Sequence, residues 1–336
     1  MKQMWKSWTT GAITIILVLA LAACGNNNEP KQVTEPAPAA TTEQSAPPAD
    51  EASVQKTEYP LTVKDSTGET FTFKEAPKKI ISISPAETES LFAIGLDEQV
   101  VGVSDYDDYP KAATTKPKMG GLYNPNEEAI IAAQPDLVVT GISMSAEAAQ
   151  HLRDIGITIF KTDPKTVDDV IANIELFGQI TDHQAEAKAV IDKMKQEQAE
   201  VTEAVKSLTP EQKKKVYIEF SPGWTVGSGE FMDELITLAG GVNVAADTAG
   251  WYEISEEKII NDNPDVILFS KNVIDDKTKK TLDQMIKARS GWDQITAVKN
   301  DAVYGLDDNL ISRPGPRVTE GLKEIANTIY PELLKP

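Results

Sequence analysis

Residues 127–139 read EEAIIAAQPDLVV, and residues 256–268 read EEKIINDNPDVIL. The two stretches align without a gap at an offset of 129 residues (256 minus 127). Glu127/Glu256, Glu128/Glu257, Ile130/Ile259, Ile131/Ile260, Pro135/Pro264 and Asp136/Asp265 are identical. Each copy reads as a short helix, a Pro-Asp turn and a buried strand. Asn126 and Ser255 stand before the copies, and both residue types accept hydrogen bonds from the free N–H groups of a first helical turn. Pro135 and Pro264 stop the helix, because the ring removes a donor and clashes with the turn before it. Leu137-Val138-Val139 and Val266-Ile267-Leu268 are continuous apolar runs, as expected of parallel strands covered on both faces. Solenoid units recur roughly every 20–50 residues; a repeat spaced this widely predicts two similar α/β lobes instead.

At 336 residues the chain is long enough for two domains with cores of their own. Its formal charge of −19 argues against a nucleic-acid partner, whose phosphates call for a basic footprint. The two histidines, His151 and His183, are far apart in sequence, so a histidine-built zinc or iron site is not expected. Cys24 is the only cysteine, which rules out an intramolecular disulfide. Lys2 and Lys6 precede the apolar run Ile13 to Leu21, which ends in Leu21-Ala22-Ala23-Cys24: the order of a secretory signal. The run falls short of the roughly 18–20 residues a membrane-spanning helix needs. Leu21 to Cys24 resembles the lipobox of bacterial lipoproteins. That resemblance implies loss of residues 1–23, lipidation of Cys24 and an exported protein tethered by its acyl chains; the length of the segment after Cys24 points to the outer face of the cytoplasmic membrane as the anchoring surface. Residues 24–58 carry almost no large apolar side chains and read as a flexible tether.

The folded part is expected from Tyr59. Leu61 to Val63 and Phe71 to Phe73 alternate like a hairpin across Ser66-Thr67-Gly68. Ile80 to Ile83 is a strand, and Ser84-Pro85 with Glu87 opens a helix that ends at Gly95. Val100 to Val103 is the next strand; the first copy, a helix near 145–154 and the strand Ile157 to Phe160 complete an N-terminal lobe, residues 59–181. Thr181 and Gln184 predict a capping box at the head of a long helix, giving a bridging segment over 182–208. Taken over 182–206, that helix is a rod of about 37 Å at 1.5 Å per residue. It reads as a rigid strut, an ordinary packed helix being the plainer alternative. Residues 209–336 form the C-terminal lobe: Val216 to Phe220, a helix from Phe231 to Gly240-Gly241, the second copy, a helix around 278–289, Ala302 to Tyr304, and a loop from Asn309 to Arg317 before a final helix.

No Gly-rich phosphate loop, Gly-x-Ser-x-Gly elbow or histidine triad can be assembled, so an enzyme is not expected. Asp105, Asp107 and Asp108 lack the spacing of an EF-hand loop and read as a solvated turn. Ser84 to Gly95, Val101 to Pro110, the Pro135-Asp136-Leu137-Val138 turn, Gly240 to Asn243, Trp251 and Pro314 to Arg317 together resemble the cobalamin- and ferric-siderophore-binding proteins of ABC importers. The resemblance covers about residues 59–332. It implies the class III binding-protein fold, two Rossmann-like α/β lobes joined by one long rigid helix, with ligand held between them. It places Tyr106, Phe220, Trp251 and Arg313 in the cleft, while Leu122, Gly141 and Asn309 depart from the pattern: two lost tryptophans and a lost acid. Tyr109, Trp224 and Tyr252 are the candidates to fill that surface. Flat aromatic faces suit a large chelate ring, and an arginine can bind groups on its rim. The resemblance also implies that Glu128 and Glu257, one per lobe, dock on arginines of a dimeric permease. A helix N-terminus favours an acid by itself, by about 0.3–1 kcal/mol. The expected ligand is cobalamin first, then a ferric siderophore, then haem with Tyr106 or Tyr109 as axial ligand. A monomer with no cofactor of its own is expected, since the cargo is itself the metal chelate. The rival class is an exported enzyme on a two-lobe scaffold.

Overall fold

The computed structural model describes residues 56–334; Cys24, the expected signal segment and nearly all of the expected tether lie outside that range. Strands β1 (Leu61–Lys64) and β2 (Thr70–Phe73) pair antiparallel, Leu61 opposite Phe73, as their alternation predicts. There follow β3 (Ile80–Ser82), α1 (Pro85–Ala93), β4 (Val100–Val103), α2 (Glu127–Ala133), β5 (Leu137–Thr140), α3 (Ala146–Asp154) and β6 (Ile159–Lys161). The four strands β3 to β6 form one parallel sheet in the order β4-β3-β5-β6. Two helices come next, α4 (Val167–Thr181) and α5 (Gln184–Val205).

The second half runs β7 (Lys215–Glu219), β8 (Trp224–Val226), α6 (Phe231–Leu238), β9 (Val242–Asn243), β10 (Trp251–Glu253), α7 (Glu256–Asp262), β11 (Val266–Ser270), α8 (Leu282–Ala288), α9 (Thr296–Lys299), β12 (Val303–Leu306), α10 (Asp308–Ile311) and α11 (Val318–Ile329). Its parallel sheet has the order β9-β7-β11-β12, which is the first sheet's order over again. The antiparallel pair β8/β10 has no sequence-based expectation behind it. Helix α10 lies where a loop was expected, capped by the Asp307 side chain, which accepts from Asn309 N.

The duplicated stretch is duplicated in its atoms too. Asn126 accepts from Ala129 N and Ser255 from Lys258 N at the heads of α2 and α7. Both helices end on a left-handed residue, Gln134 at φ 51° and Asn263 at φ 48°, immediately before the proline. Asp136 Oδ2 then accepts from Lys78 N and Lys79 N at 2.8 and 2.9 Å, and Asp265 Oδ2 from Lys215 N at 2.8 Å. Each aspartate thereby ties the entry of its own strand to the entry of the neighbouring central strand, β3 or β7. Asp136→Ala or Asp265→Ala is expected to cost about 1–2 kcal/mol, a charge-assisted bond at a partly solvated site. A urea midpoint that drops with unchanged slope checks this; an unmoved midpoint would deny the aspartates that role.

Helix α5 does not begin as the sequence predicts. Thr181 is buried and still belongs to α4, its Oγ1 donating to Phe177 O at 2.6 Å, so the hydroxyl is unavailable to cap the next helix. Asp182, left-handed at φ 60°, ends α4 instead. The bridging helix is the 22 residues of α5, about 33 Å long. It starts where Gln184 Nε2 donates to Thr57 Oγ1 at 2.7 Å. It ends against Gly240, where a Cβ would stand 3.0 Å from Val205. Ala187, Ile191, Met194, Val201 and Val205 make its buried stripe. Lys193–Glu320 and Lys323–Glu200, both at 2.9 Å, join it to α11. The helix therefore bridges, but it does not hold the lobes apart. One apolar cluster runs from Phe73 and Leu91 through Ile174 and Met194 to Phe231 and Ile325. A separate cluster covers the other face of each sheet, around Ile81 and Val138 in one lobe and Ile267 and Trp292 in the other.

Candidate functional site

Parallel α/β sheets bind ligands beyond the carboxyl ends of their strands. The loop after β4 and the residues after β7 and β12 stand at such ends, and there the two lobes meet. Charge holds the seam. Glu89, its side chain 2% exposed on α1, accepts from Arg317 Nε and Nη2 at 2.8 and 2.7 Å and from Arg313 Nη1 at 3.2 Å. Asp108, in the β4 loop, accepts from Arg313 Nη1 at 2.6 Å and Asn309 Nδ2 at 3.2 Å. Burial acts to raise the Asp108 pKa, but Arg313 and Asn309 outweigh it and hold the carboxyl below its usual range. The guanidinium of Arg317 also lies over the Tyr109 ring, 3.9 Å from its centroid. Both acids come from the first lobe and both arginines from the second.

Beside this network lies a cavity of about 260 Å³ that draws its walls from both lobes, among them Ser84, Glu87, Tyr106, Leu122, Asn309 and Arg313. A larger cavity, about 920 Å³, lies elsewhere, between the Lys56–Leu61 segment and the α4–α5 pair. It touches none of the seam residues, so size alone does not mark the site. Tyr106 is 60% exposed at the cavity's edge. The three loop aspartates do not converge: Asp107 turns inward to Ser104 Oγ at 2.5 Å, and Asp108 turns to Arg313.

A second surface is built by β7, β8 and β10. Phe220 and Trp251 meet edge to face with centroids 4.9 Å apart. Trp224 and Trp251 remain 45% and 41% exposed. In the β8/β10 ladder Trp224 sits opposite Glu253 and Trp251 opposite Val226, so both tryptophans share one face. Tyr252 points to the other face, where its hydroxyl donates to Ala245 O at 3.0 Å and its ring packs on the outer core of the second lobe. Of the seven expected cleft residues, then, Tyr106 and Arg313 line the cavity. Phe220, Trp224 and Trp251 form the aromatic face, Tyr109 is engaged by Arg317, and Tyr252 faces away.

Residues 80–310 match the family model described as "Periplasmic binding protein". The chain belongs to that family. An uncharacterized ABC transporter substrate-binding lipoprotein of Bacillus subtilis, YvrC, is 34% identical over 96% of this chain and 97% of its own. A cobalamin-binding protein of Halobacterium salinarum is 28% identical over 84% of this chain and 78% of its own. Among solved structures, a possible iron-binding (periplasmic solute-binding) protein of Staphylococcus epidermidis superposes with a TM-score of 0.65 at 32% identity, covering 76% of this chain and all of that one. The fold and family expected from the sequence are thus borne out, and the chain is an ABC-transporter substrate-binding protein.

In this binding protein the sequence departures have visible local causes. At Gly141 a Cβ would meet Glu87 Oε2 and stand 2.7 Å from Ser84 Oγ, so a larger residue there has to displace both side chains. Asn309 does the work of a donor, on Asp108. The sequence marks Glu87 only as part of a helix start and gives Glu89 no role of its own. Only the structure shows what they do: residues 85–91 of α1 are all buried although Glu, Thr and Ser occupy most of them. Glu128 and Glu257 are exposed at matching positions of α2 and α7, and among the described residues neither makes an ion pair or hydrogen bond. Their neighbours are engaged: Glu127 with His151 at 3.2 Å and Glu256 with Arg289 at 3.4 Å.

Proposed function

We propose that this binding protein captures a bulky metal chelate, cobalamin in the first place, and hands it to an ABC permease while anchored to the membrane through Cys24. The carrying observation is the exposed pair Trp224 and Trp251, the latter packed on Phe220, set at the carboxyl end of one sheet, with a two-lobe cavity and Tyr106 at the end of the other. Such surfaces suit a wide, flat, mostly apolar ring whose rim carries polar groups. The cobalamin-binding relative supports that choice. Phe220, Trp224, Trp251 and Tyr106 are the proposed ligand contacts. Arg313 is a contact only if ligand groups draw it away from Asp108. Tyr252 is left out of the set.

The second reading is a ferric siderophore. Leu122 and Gly141 leave the first lobe without the two tryptophans of the cobalamin-binding pattern, and the staphylococcal structure is described as a possible iron-binding protein. Titrating the full chain with cyanocobalamin, a ferric hydroxamate and haem, read by tryptophan quenching and calorimetry, decides among them. Saturable binding of cyanocobalamin is the expected result; saturation by the hydroxamate alone would replace cobalamin with the siderophore. Trp251→Ala is expected to weaken the ligand that binds by roughly tenfold, the scale of one truncated aromatic anchor. Unchanged affinity in that variant would take the aromatic face out of the site.

A further inference from the structure

The loop after β4 is held on one side by its own lobe and on the other by the second lobe. Within the first lobe Asp107 is buried and accepts from Ser104 Oγ, and Lys118 Nζ donates to Ser104 O at 2.9 Å and to Asp107 O at 3.1 Å. Tyr106 N donates to Ser104 Oγ at 3.2 Å, and Asp105 N to Gly120 O at 2.9 Å. Toward the second lobe Asp108 crosses the seam to Arg313 and Asn309, and Arg317 covers the Tyr109 ring. Arg313 Nη2 also reaches Tyr106 O, at 3.5 Å, so the same side chain meets the loop at a carboxylate and at a backbone carbonyl.

This arrangement leaves Arg313 little to offer a ligand. Its side chain is 14% exposed, and its charge already faces two first-lobe carboxylates, Glu89 at 3.2 Å and Asp108 at 2.6 Å. A neutral carbonyl on a ligand rim is a poorer acceptor than either, since charge-assisted hydrogen bonds are about twice as strong as neutral ones. What the arginine does hold is the segment that carries Tyr106, whose ring stands exposed at the cavity's edge. A ring on a loose loop loses conformational freedom when a ligand orders it, and a loop fixed beforehand avoids that loss.

We propose that Asp108 is a positioning residue for ligand capture: by gripping Arg313 and Asn309 across the seam, it presents Tyr106 to the bound chelate in a fixed place. Arg313 is then the anchor of that loop, and not a contact on the ligand rim. The inference rests on the cleft reading above, in which Tyr106 touches the ligand. It gives Asp108, a solvated turn by its spacing, a role that arises only where the two lobes meet.

The two roles for Arg313 predict opposite signs. Were the arginine a ligand contact, Asp108→Ala would free it and tighten binding; with the arginine as anchor, the same change loosens Tyr106 and weakens binding. The full chain is titrated calorimetrically with cyanocobalamin, or with the ferric hydroxamate if that alone saturates, as wild type, Asp108→Ala, Asp108→Asn, Tyr106→Ala and Tyr106→Ala/Asp108→Ala. Asp108→Ala is expected to bind about fivefold more weakly, the upper end for an exposed ion pair, because Asn309 adds a second bond. Asp108→Asn keeps an acceptor and is expected to stay within about twofold of wild type. Tyr106→Ala is expected to lose roughly tenfold, and the double variant no more than that, since the loop then presents no ring to hold in place. Thermal melts confirm that each variant is folded at the titration temperature. Asp108→Ala binding as tightly as wild type or tighter, Asp108→Asn no better than Asp108→Ala, or losses that multiply in the double variant each overturn the inference and leave the proposed function standing. Unchanged affinity in Tyr106→Ala overturns it as well and removes that residue from the proposed contacts. Failure of the wild type to bind cyanocobalamin, the hydroxamate or haem overturns both the inference and the proposed function.

Discussion

Replacing Glu128 and Glu257 together by arginine is expected to abolish uptake of the ligand while leaving its affinity for the purified protein unchanged. The two carboxylates stand at matched positions of the duplicated helices, one in each lobe, exposed and unengaged among the described residues. A permease built from two like subunits presents its own docking groups in pairs, so a matched pair on the binding protein fits it in one register. Reversing one charge leaves half of the contact and is expected to reduce uptake partially. Reversing both sets like charges against like, which costs several kcal/mol where the interface excludes water. The folded protein loses little, because each arginine forfeits only the helix-terminus term of about 0.3–1 kcal/mol. Uptake assays in cells, paired with titration of the purified variant, read the two effects separately. Uptake at the wild-type rate in the double variant would remove these residues from the docking surface.

Arg289→Ala is expected to lower the unfolding free energy by roughly 3–5 kcal/mol, the cost of stranding a buried charge. Glu219, fully buried at the end of β7, accepts from Arg289 Nη1 and Nη2 at 2.7 and 2.6 Å, and the guanidinium lies over the Trp292 ring with 4.5 Å to its centroid. Tyr217 OH and Gly223 N complete the acceptor's partners at 3.0 and 3.1 Å. Gly223 closes the turn into β8, so the same carboxylate sets the direction of the strand that carries Trp224. Ligand affinity should therefore fall along with stability. Urea denaturation and a cyanocobalamin titration measure the two, with Glu219→Gln/Arg289→Met as the control. Removing both charges is expected to recover much of the stability. A single-variant loss below about 1 kcal/mol would show that water already reaches the pair.

The two-lobe fold was legible in the chain because the feature that builds it is local. Each copy of the 13-residue stretch contains its own cap, its own stop and its own buried strand. Topology then follows from repetition. The error at Thr181 is instructive in the opposite sense. A Thr-x-x-Gln spacing is the same string whether the hydroxyl caps the helix ahead or bonds back into the turn behind, and burial of Thr181 against the core decides for the latter. Tyr252 and Trp251 are adjacent aromatics that a sequence cannot tell apart, yet one strand position sends them to opposite faces.

The sequence by itself determined that the protein is two kindred α/β lobes with a helix between them, that it is exported in character, and which family it resembles. Those properties depend on residues within a few turns of one another. Tertiary structure alone decided what the seam is made of. Glu89 and Arg317 are 228 residues apart, Asp108 and Arg313 are 205 apart, and Glu87 meets Thr162, 75 residues on, only when the sheet brings the end of β6 beside α1. Interactions between groups so distant in the chain leave no spacing to read, because their geometry exists only after both lobes have closed on the common core.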